Sequence, residues 1–377
     1  MKKSKVLALL MVAVMAFGLL AGCGNSNSGS KETQAKAEET KAPAETQAPA
    51  ETQAPADTEA PAETQAPAAS GEMTKINLAF MPNYASLWVA ATALEKGYFA
   101  EEGLDVQMLM FQDGPTEIAS MESGSVDVAY IGPGAHTLAI QGNVKVFCFQ
   151  QLGNADCVMG LKSHDVNSLE DLAGKKVGYA SGTSSETILV RALNSVGLTL
   201  DDVEAYDMEV SNMVSAMISG SLDACAPWSP NTGAITKELG DDAQIFCTNV
   251  TFADIAADCA SWVCTPKYAE ENKDILVRFT RALYKAMDFG VQEANYDEVA
   301  DYVAKACGTD KDSALSQTGD GKWLSSAELL GYVTDGTMEG YYQIQQDNFI
   351  ANGKLTEDQR VPVSDYVLFD IMTEAGK

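Results

Sequence analysis

Residues 175–197 read KKVGYASGTSSETILVRALNSVG, and the fold class can be worked out from that stretch. The first six residues predict a short strand. Ser181, Gly182, Thr183, Ser184, Ser185 and Glu186 then open a helix that runs to about Val196, with Gly197 as its stop. Thr183 and Glu186 have the T-x-x-E spacing of a capping box, which accounts for those two residues. It does not call for Ser181, Gly182 and Ser184 as well. A hydroxyl-rich turn with few Cβ atoms at a helix N-terminus suits the holding of an anionic oxygen, so the whole turn is a candidate ligand contact.

The same strand–loop–helix grammar recurs on both sides. Strands are expected over 76–80, 104–111, 126–131 and 144–150, with helices over 86–96 and 115–123 between them. Alternation of this kind implies βαβ units and an α/β fold. Two stretches 96 residues apart also match: MESGSVDV at 121–128 and MISGSLDA at 217–224. In each, a helix ends at Ser-Gly, a strand carries Asp at the third position after Gly, and a Pro-bearing loop follows. A weaker echo pairs 75–79 with 176–180. Two similar α/β lobes on one plan are the simplest account. Beyond Pro266 the pattern turns helical, at 276–287, 298–306, 328–332 and 338–349.

The first 71 residues have a different character. Lys2, Lys3 and Lys5 precede fifteen uncharged residues, 6–20, a run too short to span a bilayer and suited to the apolar core of a secretory leader. From 24 to 71 there is no aromatic residue and no Val, Ile, Leu or Met, and APAETQ recurs at 42–47, 48–53 and 60–65. Such a segment cannot bury enough apolar area to order itself, and is expected to act as an extended spacer of at most roughly 150 Å. The folded head should therefore be 72–377.

Composition excludes several roles. The chain of 377 residues carries 53 acidic and 25 basic side chains, a net charge of −28, which disfavours binding to nucleic acid. His136 and His164 are the two histidines, too few for an imidazole-rich metal site. Apart from Cys23 there are seven cysteines, at 148, 157, 225, 247, 259, 264 and 307, with no C-x-x-C pair and no zinc spacing. No P-loop, G-x-G-x-x-G or G-x-S-x-G motif occurs, so neither an enzyme nor a cofactor is indicated. His136 reads as a polar residue in a first helical turn rather than a general base.

In open α/β sheets, ligands sit beyond the carboxyl ends of strands. Four such loops can be named here: 82–86, 112–116, 132–134 and 181–186. At this point a resemblance enters. The segments LWVAATALEKGYFAEEGLDVQ (87–107), ASMESGSVDVAYIGPGA (119–135), LEDLAGKKVGYASGTSSE (169–186), DACAPWSP (223–230) and NFIANGKLTEDQRVPVSDYV (348–367) resemble the solute-binding proteins of ABC importers, in the nitrate, sulfonate and taurine family that includes thiamine-pyrimidine binders. Likewise, Leu20, Ala21, Gly22 and Cys23 resemble the bacterial lipobox, which implies lipidation of Cys23 and anchoring at the outer face of a membrane.

The resemblance implies a two-lobe, type II periplasmic-binding fold with a C-terminal helical extension, closing on a small molecule and working as a monomer with permease and ATPase subunits. The expected lobes are 72–165 plus 265–377, and 166–264. Carried over position by position, the cleft would use Tyr84, Ser86, Gly114, Pro115, Gly132, Pro133, Ser181, Gly182, Thr183, Ser184 and Trp228. The family often has an acidic residue after that Trp, where this chain has Ser229. No Lys or Arg lies in the four loops, so an anion would be held by hydroxyls and backbone dipoles, while Asp113 or Asp254 could take an ammonium group. A zwitterionic sulfonate of the taurine type fits both features. An aromatic heterocycle walled by Tyr84, Trp88 and Trp228 is the alternative.

Overall fold

The computed structural model describes residues 73–377. The expected leader, the Cys23 lipidation site and the repeat-bearing spacer lie outside the described residues. The chain starts with β1 (Thr74–Phe80), α1 (Tyr84–Glu95), α2 (Tyr98–Glu101), β2 (Leu104–Met110), α3 (Gly114–Glu122), β3 (Val128–Ile131), α4 (His136–Ile140) and β4 (Lys145–Gly153). It continues through β5 (Cys157–Leu161), β6 (Lys176–Tyr179), α5 (Ser184–Ser195), β7 (Glu204–Asp207), α6 (Val210–Ile218), β8 (Ala224–Cys225), α7 (Asn231–Leu239) and β9 (Ala243–Thr248). Last come β10 (Cys259–Cys264), α8 (Pro266–Glu271), α9 (Lys273–Gly290), α10 (Tyr296–Cys307), α11 (Lys311–Leu315), β11 (Gly321–Trp323), α12 (Ser326–Asp335), α13 (Thr337–Ala351) and α14 (Phe369–Ala375).

These strands form two mixed sheets with matching order, β2-β1-β3-β10-β4 with β11 at the edge, and β7-β6-β8-β5-β9. In each, the first three strands run parallel and the fourth is antiparallel to both its neighbours. The repeat seen in the sequence is thus a repeat of topology. Its aspartates do the same work twice. Asp127 accepts the backbone N–H of Asn77 at 2.8 Å, and Asp223 that of Lys176 at 2.8 Å, each tying the start of a strand to its neighbour. The pairing of Leu78 with Val128 and of Val177 with Ala224 sets the weaker echo two residues away from its expected register. A two-residue slip keeps the same side chains on the same face, which is why the sequence alone did not expose it.

Sheet membership also corrects the expected lobe limits of 165/166 and 264/265. Strand β5 pairs within the second sheet and β10 at the centre of the first. The chain therefore crosses between lobes at 154–156 and again at 249–258. The sequence hides this because β10, CASWVC, is a wholly buried run that reads equally well as the last strand of either lobe.

The first lobe surrounds one large apolar core, in which Trp88, Trp262, Phe147, Phe279 and Tyr342 are sealed from solvent. Helix α9 contributes Leu276, Val277, Phe279, Thr280, Ala282, Leu283 and Ala286 at three- and four-residue spacing, while Arg281 and Lys285 on its other face pair with Glu101 at the end of α2 and Glu102 just beyond it. The second sheet is covered on both sides. Val158 and Val177 pack under Ile188, Leu189 and Ala192 of α5, whereas Met159 and Cys225 meet Met213 and Met217 of α6, as strand alternation requires. All seven cysteines in the described residues are free, and six of them are buried. Among the described residues no helix is long and apolar enough to cross a membrane.

Candidate solute-binding cleft

Between the lobes lies a narrow cleft with a cavity of about 50 Å³, room for a few water-sized groups as the lobes stand. The first lobe supplies Asn83, Asp113, Gly114, Pro115, Tyr130, Gly132, Pro133, Gln151 and Asp320. The second supplies Thr183, Ser184 and Trp228, and Asp156 comes from the first crossover. Both lobes thus wall the same space, and their backbones touch. A Cβ on Gly134 would lie 2.0 Å from the Thr183 carbonyl carbon, and one on Gly182 would reach Pro115 Cγ at 3.4 Å. The lobes are in the closed arrangement.

Of the thirteen ligand-contact candidates read from the sequence, eight line the cleft: Asp113, Gly114, Pro115, Gly132, Pro133, Thr183, Ser184 and Trp228. Five do not. Tyr84 is buried, its ring 5.6 Å from that of Trp323 and its N–H donating to Gln317. The Ser86 hydroxyl is fully buried and accepts the N–H of Met81. Ser181 is exposed and donates its N–H to Asp207, and Gly182 donates its own to Glu186. Asp254, exposed, borders a separate hollow with Asn154 and Lys322. Trp88, offered as a stacking wall, is sealed in the core and donates to Gln151.

The loops spend most of their hydroxyls on themselves. Ser185 is to Ala180 what Ser86 is to Met81: each hydroxyl accepts the N–H at the end of the preceding strand, at 3.0 Å. The capping box is shifted by one residue from the expected pattern. Thr183 accepts from the N–H of Ser185 at 3.2 Å, and Glu186 reaches back to Gly182 at 2.7 Å rather than to Thr183. Only Ser184 turns its hydroxyl across the cleft wall, donating to Asp156 at 2.5 Å.

Among the lining residues outside the loops named from the sequence, Tyr130, Gln151, Asp156 and Asp320 bring polar side chains. A register shift at Ala260/Ser261 makes Gln150 the extra residue of a bulge in β4, so two consecutive glutamines both donate to the Ala85 carbonyl. Gln151 also donates to the Tyr130 hydroxyl at 2.8 Å, fixing that ring at the cleft. Two adjacent glutamines inside the apolar run KVFCFQQ were the legible signal for it.

Asp156 sits in a buried network at the crossovers. Ser184 and Asn249 donate to its two oxygens, and Asn249 donates also to Asp258, which holds Arg191 through two bonds of 3.0 and 3.1 Å. Burial pushes the Asp156 carboxyl up to about 6 and that of Asp320 up to about 7, the latter in spite of a bond from Ser229 and with help from the Asp156 charge. His136 is fully buried between the Gly132 and Pro133 carbonyls and the Ser261 hydroxyl, and burial lowers it to about 4. A neutral imidazole so enclosed is a packing element and not a general base. No cluster of metal-binding side chains occurs among the described residues.

Two sheets of one topology, two crossovers and a cleft walled by both lobes give the fold of the periplasmic solute-binding proteins. The chain belongs to the NMT1/THI5-like family, whose model matches residues 82–295. It is 31% identical over 298 residues, 79% of the chain and 91% of the relative, to a Brucella abortus protein whose name assigns it binding but no ligand. It is 28% identical over 231 residues, 60% of the chain and 68% of the relative, to the formylaminopyrimidine-binding protein of Halalkalibacterium halodurans. Among solved structures, the alkanesulfonate-binding protein of Xanthomonas axonopodis bound to MOPS superposes with a TM-score of 0.62 at 18% identity, covering 79% of this chain and 99% of that one. The Brucella relative and a Bacillus subtilis relative, 28% identical over 253 residues, are both named as binding proteins.

Proposed function

We propose that the chain is the solute receptor of an ABC importer, acting as a monomer that closes its lobes on one small molecule and presents it to a permease and its ATPase. The observation that carries this reading is the cleft itself, to which both lobes and a crossover contribute side chains, so that capture and closure are one event. Leader, lipobox and spacer support a site of action outside the cytoplasm, with acyl chains on Cys23 anchoring the protein and the spacer carrying the head away from the membrane.

Two solute classes suit such a receptor: sulfonates, taurine and nitrate, or a nitrogen heterocycle. The lining favours the heterocycle. It carries the rings of Tyr130 and Trp228, the amides of Asn83 and Gln151, three carboxyl groups and no basic side chain. An anion entering it would meet like charge with only hydroxyls and backbone dipoles to offset it. The experiment is native mass spectrometry of the protein purified from its own cells, followed by thermal-shift screening of sulfonates, taurine, nitrate and pyrimidines. A bound small molecule or a ligand-dependent rise in melting temperature is expected. Neither across the whole panel would remove the receptor reading.

A further inference from the structure

Asp156 and Asp320 approach the same cleft from different parts of the fold, one from the first crossover and one from the loop between α11 and β11. Neither forms an ion pair, although the Arg191 charge acts on Asp156 from nearby. Arg191, the guanidinium of that network, is held in a two-pronged pair with Asp258. Lys322, two residues beyond Asp320, lies over the Tyr332 ring and bonds its hydroxyl, and Lys354 pairs with Glu186. Asp113 already serves as the N-cap of α3, accepting from Thr116 at 2.8 Å. Asp320 is pinned in place by its backbone, which accepts from Asn154 at 2.8 Å and donates to Gln317 at 3.0 Å, so its carboxyl is presented rather than free to swing away.

We propose that Asp156 and Asp320 select a cation, so that the solute is a small flat molecule bearing an amidinium or a protonated ring nitrogen, bound against Tyr130 and Trp228. This rests on the reading of the chain as a solute receptor and narrows it to one charge class. A buried and a half-buried carboxyl in a low-dielectric space attract a cation far more strongly than they would in water, and repel an anion to the same degree. Burial raises both carboxyls, Asp156 to about 6 and Asp320 to about 7, so a proton competes with the cation as pH falls through that range. Because Asp320 and Trp228 line the cleft from opposite lobes, a cation between them is enclosed only when the lobes meet.

The test uses the full-length protein and two probes of one ring and opposite charge, benzamidine and benzenesulfonate, with taurine as a third, each up to about 10 mM by thermal shift and calorimetry. Benzamidine should raise the melting temperature and the other two should not. In the isosteric variant Asp320→Asn, benzamidine affinity should fall by about tenfold or more while the ligand-free melting temperature stays close to that of the parent. A shift with benzenesulfonate or taurine and none with benzamidine overturns the cation assignment and leaves the receptor reading standing. An unchanged benzamidine affinity in Asp320→Asn overturns the role of that carboxyl. No shift with any probe, together with an anionic adduct on the protein from its own cells, likewise overturns the cation assignment alone, whereas no shift and no adduct overturns both readings.

Discussion

Gly134 shows how much of closure depends on one missing methyl. A Cβ there would stand 2.0 Å from a carbonyl carbon of the opposite lobe, far inside any real contact, and the atom in the way is backbone. In Gly134→Ala the lobes would each fold as before but could not meet, so solute affinity should drop by at least about tenfold with little change in ligand-free melting temperature; calorimetry beside a thermal melt checks both halves. Ser185 is the opposite case. Its hydroxyl is fully buried, accepts from the Ala180 N–H and donates to the Ala226 carbonyl at 2.5 Å. Ser185→Ala strands both partners and should cost about 2 kcal/mol of stability, read from denaturant unfolding of the second lobe.

Helix α5 links the cleft to the far lobe. Its first turn carries Glu186, which accepts from Gly182 and pairs with Lys354 beyond α13, both side chains 15% exposed. About two turns further along, Asn194 donates a 2.8 Å hydrogen bond to Asn352. Lys354→Met removes the charge that Glu186 faces while keeping most of the stem, so the closed form should lose population: solution scattering of the ligand-free variant should show a larger radius of gyration, and solute affinity should fall several-fold. The lobe limits and the cleft differ in how far they could be read from residues. Strand–helix alternation and the paired Ser-Gly-x-x-Asp segments revealed both sheets, because local periodicity and a local turn encode them. The cleft was only half legible. Loops that follow strands wall the cleft, yet Ser86 and Gly182 bond within their own turns, Ser181 bonds Asp207 and Tyr84 packs against Trp323. Asp320 is brought in from a loop 164 residues beyond Asp156, a distance no motif spans.

For the molecule as a whole, the buried acids give stability a slope with pH. Asp156 and Asp320 titrate near 6 and 7 when folded, above the ordinary carboxylate range of about 4, so their contribution is present below that range and is lost as pH rises through 6 and 7. Glu117, fully buried with neither oxygen bonded, acts in the same direction. His136 acts in the other, since an imidazole lowered to about 4 contributes above its ordinary value near 6.5 and loses that contribution as pH falls. The difference between parent and Asp320→Asn isolates one carboxyl: between pH 5 and 8 the parent's melting temperature should decline more steeply than the variant's, followed by calorimetric scans. The order in which the polypeptide is made adds a last constraint. All strands of the second sheet lie in one unbroken span, 157–248, whereas the first sheet needs β10 and β11, and its core closes only when Val367 bridges to Val146 and Ile371 of α14 is buried. The inserted lobe can therefore mature while its host is still half synthesised, and a chain cut short by even twenty residues would carry a finished second lobe on a first lobe with its apolar interior open, a natural substrate for chaperones and proteases.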